Sequence, residues 1–359
     1  MEFYCKTRIV AGAGALKELK NLNIRRLLLV CDPFFAQNGW AQKIKELSGA
    51  EHFAVFDQIV PDPSAELAAK GTGVMTAFQP DTVIALGGGS AMDCAKAMVF
   101  FADCPAQLIA VPTTSGSGSE VTDFAILTHN GVKHPLIDEK ICPAIAILDS
   151  DLLTTLPKSL IADCGFDVLS HAIEAYVATG STPFTDALAE AAFASVLGKL
   201  PKSFSGDTTQ RLDIHCAATM AGISFTRAGL GLCHALSHAL GGEFHIPHGR
   251  LNAILLPSVI EHNRAARGKY AGLARRAILS GVSETVAVRN LKNALIQLRQ
   301  ELQMPENLTS AGVSPGVVWE KREKLIKAVL SDPCCSTNPQ PVTAETVGKI
   351  LQEVTGRGG

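Results

Sequence analysis

The chain has 359 residues, of which 47% are hydrophobic and 18% charged; that balance excludes a disordered chain and, at this length, predicts two domains. Lys plus Arg number 32 against 34 Asp plus Glu, a net charge of -2, so there is no basic excess to hold nucleic-acid phosphates. No apolar run approaches the ~20 residues that span a bilayer, and the N-terminus lacks the apolar stretch of a secretory signal.

Four short runs, apolar almost throughout, mark the first part: Arg26 to Cys31, Asp81 to Leu86, Gln107 to Val111 and Ala144 to Leu148. Such runs suit strands covered on both faces of a parallel sheet. Helical patterns lie between them, over Ser64 to Phe78 and Ala91 to Phe101. Strand, turn and helix in repetition predict a doubly wound α/β layer. After Leu156-Pro157 the texture changes. Ala- and Leu-rich helical patterns cover Ile161 to Thr179, Phe184 to Leu200, Arg211 to Ser224, Gly231 to Leu240, Arg289 to Leu302 and Val318 to Leu330. Loops are expected at Ser181-Thr182-Pro183, Pro247-His248-Gly249 and Asn338 to Pro341. The expected division is an α/β domain over 1–157 and an all-helical domain over 158–359. The ten cysteines include no CxxC pair. Without a signal they read as buried thiols in a reducing compartment, the cytoplasm, rather than as a disulfide framework.

Two loops follow predicted strands. In the first, Gly87, Gly88, Gly89 and Ser90 lead from a strand into a helix carrying Asp93. Glycines admit close backbone approach, and a helix N-terminus offers N–H groups and a positive dipole to a pyrophosphate. A tight turn with Ser90 as N-cap gives the same pattern. The second, Pro112 to Glu120, carries Thr113 and Thr114 and is dense in hydroxyls and glycines. Ligands of open α/β sheets bind at the C-terminal strand edge, where both loops fall. Asp32 ends the first strand; it suits an adenosine ribose diol and repels a 2′-phosphate, or it opens a turn before Pro33.

The helical half holds Asp167 and His171 four apart, His234 and His238 four apart, and His248. Four apart on a helix is one face. Polar groups in such apolar surroundings are costly to bury unpaired, and a metal removes that cost. Three imidazoles and a carboxylate suit Fe(II) or Zn(II) better than Mg(II) or Ca(II). His245 can line the same site; the remaining histidines read as surface or loop residues.

At these residues the chain resembles the iron-containing (group III) alcohol dehydrogenases, a resemblance that covers essentially its whole length. It is carried by GGGSAMDCAK from Gly87, PTTSGSGSEVT from Pro112, GFDVLSHAIEAY from Gly165, GLGLCHALSHALGGEFHIPHGRLNAILLP from Gly229 and TNPQP from Thr337. Within that family, CKTRIVAGAGAL from Cys5 and GGGSAMDCAK look most like the propanol dehydrogenases of propanediol utilisation, which serve bacterial microcompartments. The resemblance implies a Rossmann-like N-terminal domain, a helical C-terminal domain and a site in the cleft between, the architecture shared with dehydroquinate synthase. It implies Asp167, His171, His234 and His248 as ligands of Fe(II), with Zn(II) as the alternative. It places Asp32, Gly87, Gly88, Gly89, Ser90, Asp93, Thr113 and Thr114 on NAD(H), with Asp32 selecting NAD over NADP. His238 matches a non-ligand histidine near the nicotinamide that relays a proton. Phe124, Ile126, Phe225 and Leu230 match substrate-pocket positions.

Some positions depart from the family pattern. Cys164 and Ser117 each stand where Thr is common and touch no ligand position. Arg227 and Arg250 stand where uncharged residues are usual. A guanidinium beside an apolar pocket fits an anionic substrate such as sulfoacetaldehyde, or pairs with a carboxylate such as Glu243. The expected activity is interconversion of a short aldehyde and a primary alcohol, by a cytoplasmic homodimer without nucleic-acid or membrane partners, with a microcompartment as the alternative location. Two rival readings are a zinc-dependent lyase or glycerol-type dehydrogenase of the same superfamily, and a non-catalytic scaffold or encapsulation partner that kept the fold. The ligand set argues against the first, and the intact ligand and glycine positions against the second.

Overall fold

The computed structural model describes residues 3–102, 104–129, 132–279 and 281–356. They form two compact units that divide between Leu156 and Pro157.

Among the described residues the first unit has eight strands: β1 (Arg8–Gly12), β2 (Arg26–Cys31), β3 (His52–Phe56), β4 (Thr82–Gly87), β5 (Gln107–Pro112), β6 (Phe124–His129), β7 (Val132–Ile137) and β8 (Ile145–Asp149). Six of them make one parallel sheet in the order β1-β8-β5-β4-β2-β3. β6 and β7 form a separate antiparallel pair. Alternate residues of one strand serve opposite cores. Leu28, Val30, Val83 and Ala85 pack with α3 (Ala65–Phe78) and α4 (Gly89–Phe101), while Leu27, Leu29, Ile84 and Leu86 face the core that includes Ala41 and Ile44 of α2 (Trp40–Ser48). Both faces are covered, which is why the strands read as unbroken apolar runs.

The chain order of the strands reverses between β2 and β4. From β2 the sheet grows to β3 on one side, and from β4 to β5 and β8 on the other. This is the topological switch point, the place where such sheets bind ligands. Cys31 pairs with Leu86 across it. Asp32 and Gly87 therefore leave the sheet side by side.

The second unit is helical: α5 (Lys158–Val177), α6 (Pro183–Phe204), α7 (Arg211–Ala228), α8 (Leu232–Phe244), α9 (His248–His262), α10 (Arg267–Arg276), α11 (Glu284–Glu301), α12 (Pro315–Glu320), α13 (Arg322–Ser331) and α14 (Ala344–Thr355). Among the described residues no helix is long and apolar enough to cross a membrane. All ten cysteines are free, but only Cys31, Cys94 and Cys233 are buried as expected; Cys5 is exposed and the other six are half-buried. The loop expected at Pro247-His248-Gly249 is instead the start of α9, with Pro247 as N-cap. The helix expected over Val318 to Leu330 breaks at Lys321 into α12 and α13.

Candidate metal centre and dinucleotide edge

The second unit gathers its chemistry where α5, α8 and α9 meet. Asp167 Oδ1 lies 3.7 Å from His171 Nε2, 3.9 Å from His234 Nε2 and 3.5 Å from His248 Nε2. Ligands bound tetrahedrally at 2.0–2.1 Å stand roughly 3.4 Å apart, so the His248 separation matches a ligand shell, the other two are somewhat longer, and His171 lies outside the tightest group. The ligand atoms of Asp167, His234 and His248 form one group within 4.8 Å of one another.

His234 tests the fit directly. Its residue is 1% exposed, its Nδ1 donates to Glu174 Oε2 at 2.7 Å, and its buried Nε2 has no hydrogen-bond partner among the described residues. Burial holds the ring well below its ordinary pKa, so it is neutral. A neutral imidazole with one nitrogen anchored and a buried lone pair facing a carboxylate is a ligand awaiting a cation. The site residues fit a divalent metal.

Three residues outside the sequence expectations build this geometry. Glu174 sits seven after Asp167, on the same face of α5. Its carboxylate accepts from the backbone N–H groups of Gly231, Cys233 and His234 as well as from the His234 ring. It thus caps α8 and orients its ligand together. Burial pushes Glu174 up to about 7, opposed by those backbone donors. Asn252, four after His248, donates to Asp167 Oδ1 at 3.0 Å and accepts from Ser237 on α8. Gly249 is the third: a Cβ there would overlap the carbonyl oxygen of Asp163, one turn before Asp167. Its missing side chain lets the first turn of α9 rest on the backbone of α5, which brings His248 to Asp167. The i,i+7 spacing of Asp167 and Glu174 was a legible signal; the backbone contact had none.

The other candidates divide. His238 belongs to the same ring cluster, stacked on His248 at 5.3 Å, but its Nδ1 donates to Asp332 Oδ2 at 2.8 Å. Phe225 stacks on His171 at 4.4 Å and is buried. Leu230 is half-buried, its carbonyl accepting from Thr337. Arg227 lies in the last turn of α7, where a cation offsets the helix dipole. Arg250 forms a two-pronged pair with Asp163, at 3.2 and 2.9 Å. Its partner is not Glu243, which binds Lys321 and Lys324. His245 is exposed in a left-handed conformation at the C-cap of α8. His215, read as a surface residue, is buried on α7 because its helix face packs inward.

In the first unit, Gly87 (φ +155°), Gly88 and Gly89 turn β4 into α4. The N-cap is Gly88, with no side-chain cap, rather than Ser90, which lies inside the first turn. The helix starts at the switch point with no side-chain cap from its N-cap residue, a place where backbone N–H groups suit a dinucleotide phosphate. A Cβ on Gly88 would stand 3.2 Å from Thr114 Oγ1, and one on Gly89 3.3 Å from Ser117. The two loops therefore pack together, and Thr113 N–H bonds the Gly87 carbonyl at 2.9 Å. Asp93, expected on the dinucleotide, has both oxygens engaged inside the protein, accepting from Ser119 Oγ at 2.8 Å and from Ile126 N–H at 3.0 Å. It is a strut for the second loop. Lys96 completes that strut, fully buried and donating to Ser119, Thr122 and the Phe124 carbonyl. Asp32 caps α1 (Pro33–Gln37) through Oδ1. Its turn role is thus realised, and Oδ2 makes no hydrogen bond among the described residues. Phe124 and Ile126 are half-buried on β6.

One chain thus carries a parallel sheet with a helix N-terminus at its switch point and, in its second unit, a carboxylate-imidazole cluster on three helices. The model for iron-containing alcohol dehydrogenases matches residues 6–150, and that for the C-terminal part of the Fe-containing alcohol dehydrogenase family matches residues 161–355. The chain is 38% identical to the 1-propanol dehydrogenase of Citrobacter freundii, over 98% of this chain and 99% of that protein. It is 36% identical to the NADPH-dependent butanol dehydrogenase of Clostridium saccharobutylicum, over 98% and 97%. The iron-containing alcohol dehydrogenase structure from Thermococcus thioreducens superposes with a TM-score of 0.92 at 32% identity, covering 98% of this chain and 99% of that one. The sulfoacetaldehyde reductase of Bifidobacterium kashiwanohense, in complex with NAD+, gives 0.88 at 25% identity, covering 98% of both. The chain belongs to the iron-containing alcohol dehydrogenase family. It is an oxidoreductase, and the family works with a metal and a nicotinamide dinucleotide.

Proposed function

We propose that this enzyme transfers hydride reversibly between NAD(H) and a short-chain aldehyde or primary alcohol, with propionaldehyde and 1-propanol as the pair. The observation that carries this reading is Asp167 Oδ1 among three imidazole Nε2 atoms at 3.5 to 3.9 Å. Similarity to propanol and butanol dehydrogenases supports the substrate class. In this reading Asp167, His171, His234 and His248 hold Fe(II), with Zn(II) as the alternative. Asp32, Gly87, Gly88, Gly89, Ser90, Thr113 and Thr114 serve the dinucleotide, and Asp32 disfavours a 2′-phosphate. The 1–157 portion is then the dinucleotide-binding domain and 158–359 the metal and substrate domain.

A divalent metal in this site supplies a Lewis acid to the substrate oxygen, and the nicotinamide carries the hydride. The chain's own residues do the rest. Glu174 fixes the His234 ring, and with Asp167 it brings two carboxylates against the two positive charges of the ion. Phe225, stacked on His171, presents an apolar wall that excludes water and suits a small neutral substrate; Arg227, Leu230, Phe124 and Ile126 complete the proposed substrate set. His238 takes the hydroxyl proton at Nε2 in the oxidising direction and returns one in the reducing direction. An anionic substrate would need a guanidinium; Arg250 is paired with Asp163, so Arg227 would have to serve.

The test is NADH oxidation by anaerobically purified, Fe(II)-loaded protein with propionaldehyde and sulfoacetaldehyde side by side. Preference for propionaldehyde is expected. Preference for the sulfonate replaces the neutral substrate with an anionic one, and no oxidation of NADH with either overturns the reading. The proposal includes a cytoplasmic homodimer, with a bacterial microcompartment as the alternative location; light scattering on the eluting protein tests the dimer.

A further inference from the structure

Asp332 precedes the short turn Pro333–Thr337 and lies 94 residues from His238 in the chain. Its two oxygens have different tasks. Oδ1 accepts the backbone N–H of Cys334 at 2.9 Å and so caps the turn. Oδ2 accepts from His238 Nδ1 at 2.8 Å. The side chains are 13% and 28% exposed, so little water competes for this bond. Asp332 is held below the ordinary carboxylate range by its bonds to His238 and Cys334, in spite of burial. An ionised carboxylate only accepts, so the hydrogen of a neutral His238 is on Nδ1 and the lone pair on Nε2. The stack of His238 on His248, 20° from parallel, fixes the ring plane. One hydrogen bond and one stack leave the ring a single orientation and a single tautomer. Cys334 offers a sulfur near the same two groups, but the observed bonds account for the cluster without an ion.

We propose that Asp332 is a positioning residue that holds His238 in the Nδ1–H form, so that Nε2 is the atom that carries the proton. This rests on the reading of His238 as the proton carrier. Removing Asp332 frees the ring to turn or to take the other tautomer, and the proton step slows while the metal and substrate contacts stay in place.

Asp332→Ser separates the two tasks, because a serine oxygen can still cap Cys334 but is too short to reach His238. The expected result is single-turnover NADH oxidation slowed on the order of tenfold or more. KM for the aldehyde, metal content and melting temperature stay unchanged. The same substitution added to His238→Ala has no further effect. Histidine nitrogen NMR of the zinc-loaded protein shows the Nδ1–H form in the parent and its loss in Asp332→Ser. Equal slowing in both backgrounds, or no slowing of Asp332→Ser while His238→Ala is slow, overturns the proposal and leaves the reading of His238 intact. A His238→Ala variant at full rate overturns both.

Discussion

His234 donates its Nδ1–H to Glu174 at 2.7 Å, and the same carboxylate receives three backbone N–H groups at the start of α8. One buried side chain therefore secures both a helix end and the ligand that the helix carries. Glu174→Gln places an amide NH2 among donors and loosens the ring. Metal affinity should fall about 10- to 100-fold, measured by competitive titration with Zn(II). Unchanged affinity would mean that the stack of His234 on His171 holds the ring without Glu174.

The cluster joins α5, α8 and α9, so metal should add to stability by mass action. At a free metal concentration 100 times Kd the gain is about 2.7 kcal/mol. Urea midpoints with and without Zn(II) measure it. His171→Ala should abolish the gain, and a variant that keeps it removes His171 from the ligand set.

Gly249 and Gly198 predict opposite signs for one substitution. A Cβ at Gly249 would overlap the Asp163 carbonyl, so Gly249→Ala must push α9 away from α5 and should lose both stability and metal. Gly198 is exposed in the interior of α6 with open space around it, so Gly198→Ala should stabilise by roughly 1 kcal/mol. Chemical unfolding of the two variants checks both.

Asp32 stands beside the glycine turn with Oδ2 unbonded. Asp32→Ser removes the charge but keeps a helix cap. The preference for NADH over NADPH, as a ratio of kcat/KM, should fall at least about tenfold, which corresponds to ~1.4 kcal/mol. An unmoved ratio would return Asp32 to the role of a turn residue.

Lys96 gives a pH signature. Burial lowers its amine to about 8 from 10.5. Between those values the unfolded chain holds a proton that the folded chain has released, so this contribution to stability rises with pH across that window. Below about 8 both states are charged and the contribution is flat. Lys96→Met should lose this slope, read as the change in urea midpoint from pH 8 to 10 relative to the parent.

Much of this was legible in the sequence. The four apolar runs are four central strands of the sheet, because burial on both faces leaves no polar alternation to blur the pattern. β1 and β3 were not legible: they are edge strands, and Arg8, Ile9 and His52 are exposed. Asp167 and His171 announce themselves by spacing on one helix. Glu174 and Asn252 share those faces but act on other helices, so spacing alone could not assign them a partner. Asp332 meets His238 only in the folded chain. Arg250 was visible as a departure, but its partner Asp163 is set by the crossing of α5 and α9.

That crossing also sets a gauge. Where two helices touch backbone to backbone, the gap between their side chains cannot widen without parting the helices. Asp167 and His248 hang from opposite sides of such a contact, at Asp163 and Gly249. The 3.5 Å between Asp167 Oδ1 and His248 Nε2 is therefore set by the backbone contact before any ion enters. The helix packing thus presets this edge of the site, the imidazoles select the ion by softness, and a smaller residue at position 249 does not exist to relax it.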